Sequence, residues 1–192
     1  KGWLTVIYDP ADVELAVSAK LGRVGQSVNT MVKNNDGFVG INGGGFEDLD
    51  GWGNGSIPYG AIIKNGQLVW SHSGGWGSLI GFNKDHKMVL TYKKPEEAIA
   101  DGVMDAVDFG PFLIVNGKSS YINGKGGWGT APRSAIGQRA DGIVLLLIID
   151  GRQGGSPGAD MNDLAKVMME YGAINAANLD GGTSATLVVN NQ

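Results

Sequence analysis

The stretch Ile143-Val144-Leu145-Leu146-Leu147-Ile148-Ile149-Asp150 decides the fold class, because a continuous apolar run of this length is typical of a strand buried on both faces. After a glycine-containing loop, Asp160 is placed to cap a helix that Gly172 ends. The apolar stripe of this helix consists of Met161, Leu164, Ala165, Met168 and Tyr171. A second strand runs from Ala173 to Leu179, so we predict a strand-helix-strand unit whose strands are parallel.

Each of these two strands ends at an aspartate, Asp150 in the first and Asp180 in the second. Parallel strands have their carboxyl ends at the same edge of a sheet, where ligands commonly bind. If the strands are neighbours, about 4.8 Å apart, the two carboxylates face one shared cleft. The pattern therefore predicts a carboxylate pair at this edge.

The rest of the chain is rich in short strand patterns bounded by Gly, Pro, Asn and Asp. We predict helices at Ser27 to Lys33 and at Pro95 to Ala100, and a hairpin with its turn at Lys64-Asn65-Gly66. The predicted strands are Trp3 to Tyr8, Val13 to Ala19, Phe38 to Ile41, Gly60 to Ile63, Leu68 to Ser71, Gly81-Phe82, Met88 to Tyr92 and Phe112 to Val115. Residues 1–192 are thus predicted to form a single α+β domain, with a mixed β-sheet, flanking helices and a C-terminal βαβ unit.

Composition narrows the class of protein. With 192 residues, 42% hydrophobic and 18% charged, the chain is expected to fold around a real core. A formal charge of −4 gives no basic surface for nucleic acid or for an anionic membrane. The absence of cysteine excludes a disulfide framework, a zinc-thiolate site and a thiol nucleophile.

Apolar runs are too short for a membrane span, which needs about 18 residues, so no membrane contact is expected of this domain itself. No signal peptide precedes Lys1, and the chain as given is expected to be soluble. It is equally compatible with a mature or trimmed domain whose export signal or anchor was removed.

Five motifs stand in order along the chain and together resemble one known family. They are Ile41-Asn42-Gly43-Gly44-Gly45-Phe46, Phe109-Gly110-Pro111-Phe112-Leu113, Pro132-Arg133-Ser134-Ala135-Ile136-Gly137, Asp150-Gly151-Arg152 and Asn178-Leu179-Asp180-Gly181-Gly182-Thr183-Ser184. The chain resembles the phosphodiester glycosidases, whose members remove N-acetylglucosamine from sugar-1-phosphate diesters and whose bacterial relatives are associated with exopolysaccharide metabolism. The resemblance implies a hydrolase acting on a phosphodiester-linked carbohydrate, at an extracellular or cell-surface location.

Three positions depart from the family pattern. Thr183 stands where many relatives have a third glycine, Gly45 where an aromatic residue is common, and Glu47 where aspartate is common. These differences bear on the shape of the sugar pocket more than on the reaction type.

The chemistry of a glycosyl phosphate indicates a role for each residue type. Cleavage at the anomeric carbon passes through an oxocarbenium-like state, for which Asp150 and Asp180 are candidate nucleophile or acid/base residues, with roles unassigned. The planar guanidinium of arginine binds two phosphate oxygens at once, so Arg133 is the first candidate for the phosphate site and Arg152 the second. The catalytic candidates are therefore Asp150, Asp180 and Arg133. The predicted substrate-binding residues are Asn42, Gly43, Gly44, Glu47, Arg152, Gly181, Gly182, Thr183 and Ser184.

Other readings of these residues stay open. Both Asp-Gly pairs are also common strand-ending turns, either arginine fits a structural ion pair, and the Gly43 to Gly45 run fits simple packing. Trp52, Trp76 and Trp128, each between glycines, are suited to stacking on sugars but equally to core packing.

No cofactor is required by this chemistry, although a divalent cation is possible. His72 and His86 match no metal spacing, whereas the acidic loop with Glu47, Asp48 and Asp50 offers oxygen ligands. Two other functional classes remain as alternatives. One is a non-catalytic carbohydrate-binding module that uses the tryptophans, and the other is a metal-dependent phosphodiesterase that cuts the P–O bond.

Overall fold

A computed structural model describes residues 1–49, 51, 53–120 and 128–190, and the α+β class predicted for the chain is confirmed there. Within these ranges the chain forms three α-helices: α1 (Val28–Asn34), α2 (Pro95–Ala100) and α3 (Met161–Glu170). Its strands are β1 (Gly2–Ile7), β2 (Val39–Ile41), β3 (Phe46–Glu47), β4 (Ile57–Pro58), β5 (Ala61–Lys64), β6 (Gln67–Ser71), β7 (Leu79–Asn83), β8 (Met88–Thr91), β9 (Val103–Asp108), β10 (Phe112–Val115), β11 (Lys118–Ser119), β12 (Arg133–Arg139), β13 (Val144–Ile149), β14 (Ala173–Leu179) and β15 (Leu187–Val189).

Two larger sheets organise the molecule. Six strands form the first in the order β1-β13-β12-β14-β10-β11, and five form the second in the order β6-β5-β9-β7-β8. Two small ribbons, β15-β2 and β3-β4, complete the described strands. All of the recorded strand pairs are antiparallel, so the prediction of a mixed sheet is wrong for the described part of the chain.

The C-terminal segment has the predicted order of strand, helix and strand, but the two strands are not neighbours. Strand β12 lies between β13 and β14 and pairs antiparallel with both, so β13 and β14 run in the same direction two strand spacings apart. The physical reason is local: β12 leads directly into β13 through a tight turn, in which the Gly142 N–H donates to the Arg139 carbonyl. That hairpin occupies the edge of β13 that a simple crossover would have used.

Packing confirms that β13 is buried on both faces. On one face Leu145 and Leu147 pack beneath α3, against Met161, Leu164 and Met168. On the other face of the same sheet, residues of β12 and β14 meet the second sheet. This second cluster includes Ile80, Met88, Phe109, Phe112, Ala177 and Leu179.

Helix α3 begins as the capping pattern predicts. The Asp160 carboxylate accepts the backbone N–H groups of Asn162 and Asp163, and Asp163 accepts the N–H of Asp160 in return. These bonds satisfy donors that the first helical turn leaves free. Tyr171, which was predicted to belong to the apolar stripe, instead follows the last helical residue and is exposed.

The N-terminal half agrees with the predicted hairpin and helix but not with every strand. Asn65 and Gly66 adopt positive φ in the turn between β5 and β6. Residues 13–18 form no strand, because a 3₁₀ turn at Pro10–Asp12 precedes them and they pair with no strand in the described part of the chain. The Leu15 carbonyl accepts instead from the Lys64 ammonium, at 2.5 Å.

Among residues 1–49, 51, 53–120 and 128–190, the helices are all too short or too polar to cross a membrane.

Candidate active site

The start of β12 lies between the two strands that end in the predicted aspartates. Arg133 pairs with Ile149 on one side, and Ser134 pairs with Leu179 on the other. Asp150 and Asp180 therefore follow at the same end of the sheet, as expected. Their strands are separated by two strand spacings, about 10 Å, rather than by one.

The turns that follow Asp150 and Asp180 both pass close to Pro132, and both require glycine there. A Cβ added to Gly151 would lie 2.6 Å from the Pro132 nitrogen, and one added to Gly181 would lie 2.8 Å from the Pro132 oxygen. The Gly182 N–H also donates to that oxygen, at 2.9 Å. A side chain at Gly151 or Gly181 would collide with backbone atoms, so both turns can pack against Pro132 only with glycine at these positions.

Asp180 is held by its own backbone and by the turn that follows. Its N–H donates to the Gly43 carbonyl at 3.0 Å, and its carboxylate accepts the Gly181 N–H at 2.9 Å. Burial raises the pKa of Asp180, while contacts with the Ser184 side chain and the Gly181 N–H act in the opposite direction. A partly buried carboxyl with a raised pKa is suited to donate or accept a proton near neutral pH.

Asn42 connects the backbone of Asp180 to Ser134 and Thr186. Its Nδ2 donates to the Asp180 carbonyl at 2.7 Å, and its Oδ1 accepts from the Ser134 hydroxyl at 2.7 Å and from the Thr186 N–H at 3.0 Å. The amide is thus used within the protein. The structure brings Asn42 and Gly43 to Asp180, where the Asn42 amide positions the backbone of the turn.

Arg133 is buried, with 4% of its surface exposed, and it lies against Gly181. Its Nε donates to the Ala159 carbonyl at 3.1 Å, and its Nη2 donates to the carbonyls of Trp128 and Gly129 at 2.9 and 2.7 Å. Burial lowers the pKa of Arg133 and repulsion from Arg152 lowers it further, while the Asp160 carboxylate acts in the opposite direction. The cation is thus enclosed by carbonyl dipoles on one side.

No carboxylate in the described part of the chain forms an ion pair with Arg133. A buried charge without a counterion is unfavourable unless a ligand or a dipole compensates it. Its Nη1 lies 3.6 Å from the position that a Cβ on Gly181 would occupy, which is the side of the aspartate turn. The arrangement favours an anion on that side.

Arg152 supplies a second guanidinium beside the same turn. Its side chain lies about 3.5 Å from the position that a Cβ on Gly182 would occupy, and its exposure leaves the planar fork open to solvent. The residue adopts φ of 56°, a left-handed conformation that is uncommon for arginine. Two guanidiniums therefore flank the Gly181-Gly182 turn, and they repel each other until an anion lies between them.

Asp150 has a different environment. Its N–H donates to the Lys1 carbonyl at 3.0 Å, and its carbonyl accepts from the Ser156 hydroxyl, which in turn accepts from the α-amino group of Lys1. No hydrogen bond or ion pair in the described ranges joins its carboxylate to Asp180, Arg133 or Arg152. Asp150 thus shares the sheet end with Asp180 but stands on the β1 side of it.

The remaining predicted binding residues divide into two groups. Thr183 is exposed and Ser184 half-buried, both in the short 3₁₀ turn that follows Gly181. Gly44 lies against β9, where an added Cβ would be 2.7 Å from the Asp108 carbonyl oxygen. Glu47 pairs with Ile57 in the β3-β4 ribbon, and within the described ranges no hydrogen bond or ion pair links it to the residues around Asp180.

Metal ligands do not gather in the described residues, where no group of three or more His, Asp or Glu side chains converges. In the predicted acidic loop, Asp48 accepts the N–H of Gly53 at 2.8 Å. Asp50 and Trp52 lie outside the described residues.

A cavity of about 1010 Å³ is lined mainly by apolar residues of β1, of residues 13–18 and of α1. It reaches Asn42, Gly43 and Gly44 but none of Asp150, Asp180, Arg133 and Arg152. This cavity therefore does not mark the reactive site, because polar and titratable groups converge at the sheet end instead.

Sequence patterns did not indicate the groups that hold Arg133. They are the backbone carbonyls of Trp128, Gly129 and Ala159, and carbonyl oxygens occur at every residue whatever its type. The only available signal was Trp128 itself, which had been considered for its ring. A contact made through the backbone has no signature in the residue type.

The raised pKa of Asp180 makes a prediction for stability. Because its pKa is 3.8 in the ordinary case and higher in the folded state, the folded protein binds more protons between these two values. The free energy of unfolding should therefore fall as pH rises through that window. Asp180→Asn should lose this part of the pH dependence and be at least as stable as wild type at about pH 7. Urea unfolding of both proteins from about pH 4 to about pH 8 measures this pH dependence. An Asp180→Asn variant that is less stable than wild type at every pH would contradict the prediction.

Comparisons with known proteins agree with these motifs. The family model described as phosphodiester glycosidase matches residues 29–192. An uncharacterised prophage-derived protein of Bacillus subtilis, YomE, is 29% identical over 174 residues, which are 85% of this chain and 26% of that protein. The mouse N-acetylglucosamine-1-phosphodiester alpha-N-acetylglucosaminidase is 28% identical over 149 residues, which are 68% of this chain and 28% of the enzyme. The chain thus spans about a quarter of the length of these relatives.

A solved structure shares the fold. The catalytic domain of zebrafish N-acetylglucosamine-1-phosphodiester alpha-N-acetylglucosaminidase superposes with a TM-score of 0.74 at 22% identity, covering 98% of this chain and 64% of that one. The family match extends over most of the chain and contains all five motifs in full and all of the predicted site residues. This protein therefore belongs to the phosphodiester glycosidase family.

Proposed function

We propose that this chain hydrolyses the glycosidic C–O bond of a sugar-1-phosphodiester, giving the free sugar and a phosphomonoester. The observation that carries the proposal is the turn at Gly181-Gly182. Two guanidiniums that form no ion pair within the described residues flank this turn, and a carboxyl with a raised pKa precedes it. We take residues 1–192 as one catalytic domain.

The two arginines divide the work of holding phosphate. Arg152 has an open fork that suits two phosphate oxygens. Arg133 already donates its Nε and both Nη2 N–H groups to backbone carbonyls, so it contributes a fixed positive charge and its Nη1. The turn adds the Thr183 N–H and the hydroxyls of Thr183 and Ser184 to the anion site, because the N–H groups of Gly181, Gly182 and Ser184 are hydrogen-bonded within the protein.

Asp180 is proposed to handle the proton. As the C1–O bond breaks, the electron pair goes to the phosphate oxygen and water adds to C1. A carboxyl of raised pKa at this point is able to donate to the departing oxygen or to take the proton of the water. Asp150, on the other side of Pro132, is the second candidate carboxylate, and its role is left unassigned.

The biological setting follows from the family alone. The mouse relative is named for an N-acetylglucosamine phosphodiester, so we propose an N-acetylhexosamine or related sugar in a secreted or cell-surface glycan, such as an exopolysaccharide. We propose that the reaction takes place outside the cell.

A labelling experiment tests the reaction type. The chain is incubated with a panel of glycosyl-1-phosphodiesters in heavy-oxygen water, with and without a chelator, and the products are analysed by mass spectrometry. We expect the label in the sugar, because water attacks C1. Label in the phosphomonoester would mean P–O cleavage and would favour a metal-dependent phosphodiesterase, most clearly if the chelator abolished turnover. Saturable sugar binding without any turnover would identify a carbohydrate-binding module.

A further inference from the structure

Five ring side chains form one cluster beside the candidate active site, and we call them the aromatic cluster. They are Tyr59, His72, Trp76, Phe109 and Trp128. Trp76 is central, with ring centroids 4.4 Å from Phe109, 5.9 Å from Trp128 and 6.2 Å from Tyr59. Residues from four separate parts of the chain thus assemble one apolar surface.

The two tryptophans of this cluster face solvent. Phe109 is 1% exposed and anchors the cluster in the core between the two sheets, whereas Trp76 is 43% and Trp128 42% exposed. The rings of Trp76 and Trp128 are nearly parallel, with 29° between their planes. Aromatic rings contribute most to stability when buried, so leaving two of them nearly half exposed side by side is expected of a binding surface.

Hydrogen bonds fix both tryptophans. The Trp76 and Gly77 N–H groups donate to the two carboxylate oxygens of the buried Asp108, at 2.9 and 3.1 Å. The Trp128 carbonyl accepts from Arg133. The exposed pair Trp76 and Trp128, which we call the platform, is therefore held in place before a ligand binds. The Arg133 guanidinium that faces the Gly181 turn also binds the backbone of Trp128.

We propose that Trp76 and Trp128 form the subsite for the glycosyl ring of the substrate, an inference that rests on the proposed function. The C–H face of a pyranose is apolar and packs flat against an aromatic ring, while its hydroxyls remain at the edge for polar contacts. The phosphate of a glycosyl phosphate is attached at C1, directly on that ring. Because Arg133 binds the Trp128 carbonyl, we expect a sugar stacked here to have its phosphate on the Arg133 side. The aglycone lies beyond the phosphate, farther from the platform.

The cluster carries no carboxylate or ammonium of its own, which suits a neutral sugar and not the charged phosphate. His72 is its only titratable ring besides Tyr59, and it accepts the Gly74 N–H at 3.1 Å. In this proposal the platform binds the apolar face of the sugar, and Arg133 and Arg152 bind the anionic phosphate.

Binding is measured apart from turnover by ¹⁹F NMR of protein labelled with 5-fluorotryptophan. The five tryptophan signals are assigned with single Trp→Phe variants. Methyl N-acetyl-α-glucosaminide is the glycosyl probe, and glycerol 3-phosphate is the aglycone probe. We expect the glycoside to shift the Trp76 and Trp128 signals and to leave the Trp3 signal unchanged.

Kinetics with a glycosyl-1-phosphodiester complete the test. Trp76→Ala and Trp128→Ala are expected to raise KM by roughly tenfold each, with kcat much less affected, and the Phe variants should keep most of the affinity. Trp3→Ala is the matched control, because Trp3 is also exposed, at 52%, but lies on the edge strand β1. Thermal unfolding confirms that each variant is folded.

The outcomes separate this inference from the proposed function. If the wild type hydrolyses the phosphodiester but neither tryptophan signal moves and the Ala variants keep the wild-type KM, the platform is not a sugar subsite while the function stands. If the glycoside shifts both signals but no phosphodiester is cleaved, the subsite stands and the function fails. Shifts caused only by glycerol 3-phosphate would overturn the assignment to the glycosyl ring.

Discussion

Replacing Asp180 with asparagine is expected to lower kcat/KM on glycosyl-1-phosphodiesters by roughly 10² to 10⁴, with the fold retained. Asparagine has the same shape, and its oxygen still accepts the Gly181 N–H that Asp180 accepts at 2.9 Å. It cannot exchange a proton, so the loss reports proton transfer rather than a collapsed turn. Initial rates across a range of substrate concentrations, together with circular dichroism, measure the effect.

Two further aspartate variants serve as comparisons for Asp180→Asn. Asp141→Asn is the control, because Asp141 lies in an exposed ion pair with Arg139 at the other end of β12 and should leave kcat/KM unchanged. Asp150→Asn tests the second carboxylate of the sheet end. Wild-type turnover in Asp180→Asn would remove Asp180 from the mechanism, whatever the result for Asp150.

Arg133→Ala is expected to lower kcat/KM on the same diesters by roughly 10² or more and also to lower the free energy of unfolding. The catalytic loss follows from removing a fixed charge beside the phosphate. The loss of stability follows because the carbonyls of Trp128, Gly129 and Ala159 lose their donor, at a cost of about 1–3 kcal/mol for each carbonyl that stays buried and unpaired. Urea unfolding and steady-state kinetics on the same preparation measure both effects.

Comparison with Arg152 separates the binding of phosphate from the support of the loop. Arg152→Ala removes an exposed side chain, so we expect unchanged stability and a KM about tenfold higher, with a weaker dependence on salt. Arg133→Lys keeps the charge, but an ammonium cannot reach three carbonyls in the geometry of the guanidinium, so it should not restore activity. A folded Arg133→Ala variant with wild-type kcat/KM would exclude Arg133 from the site.

Local patterns predicted several elements well. The apolar run at β13, the Asp160 cap of α3 and the Asn65-Gly66 turn each depend on residues close together in the chain, and each is present. The Val13 to Ala19 prediction failed because an apolar segment becomes a strand only if another strand is free to pair with it. Alternation alone does not supply that partner.

The sequence by itself determined which residue types are available for chemistry, where the buried strand and the capped helix form, and that Asp150 and Asp180 end their strands at one edge. Only the tertiary structure decided that β12 lies between those strands, that Asn42 reaches Asp180 across 138 residues, and that Trp76 and Trp128 share one surface. The physical reason is the range of the interactions. Helix caps, turns and strand patterns act between residues a few positions apart, whereas sheet order and side-chain contacts arise from packing between distant segments. The carbonyls that hold Arg133 belong to the backbone, so the residue type does not reveal them.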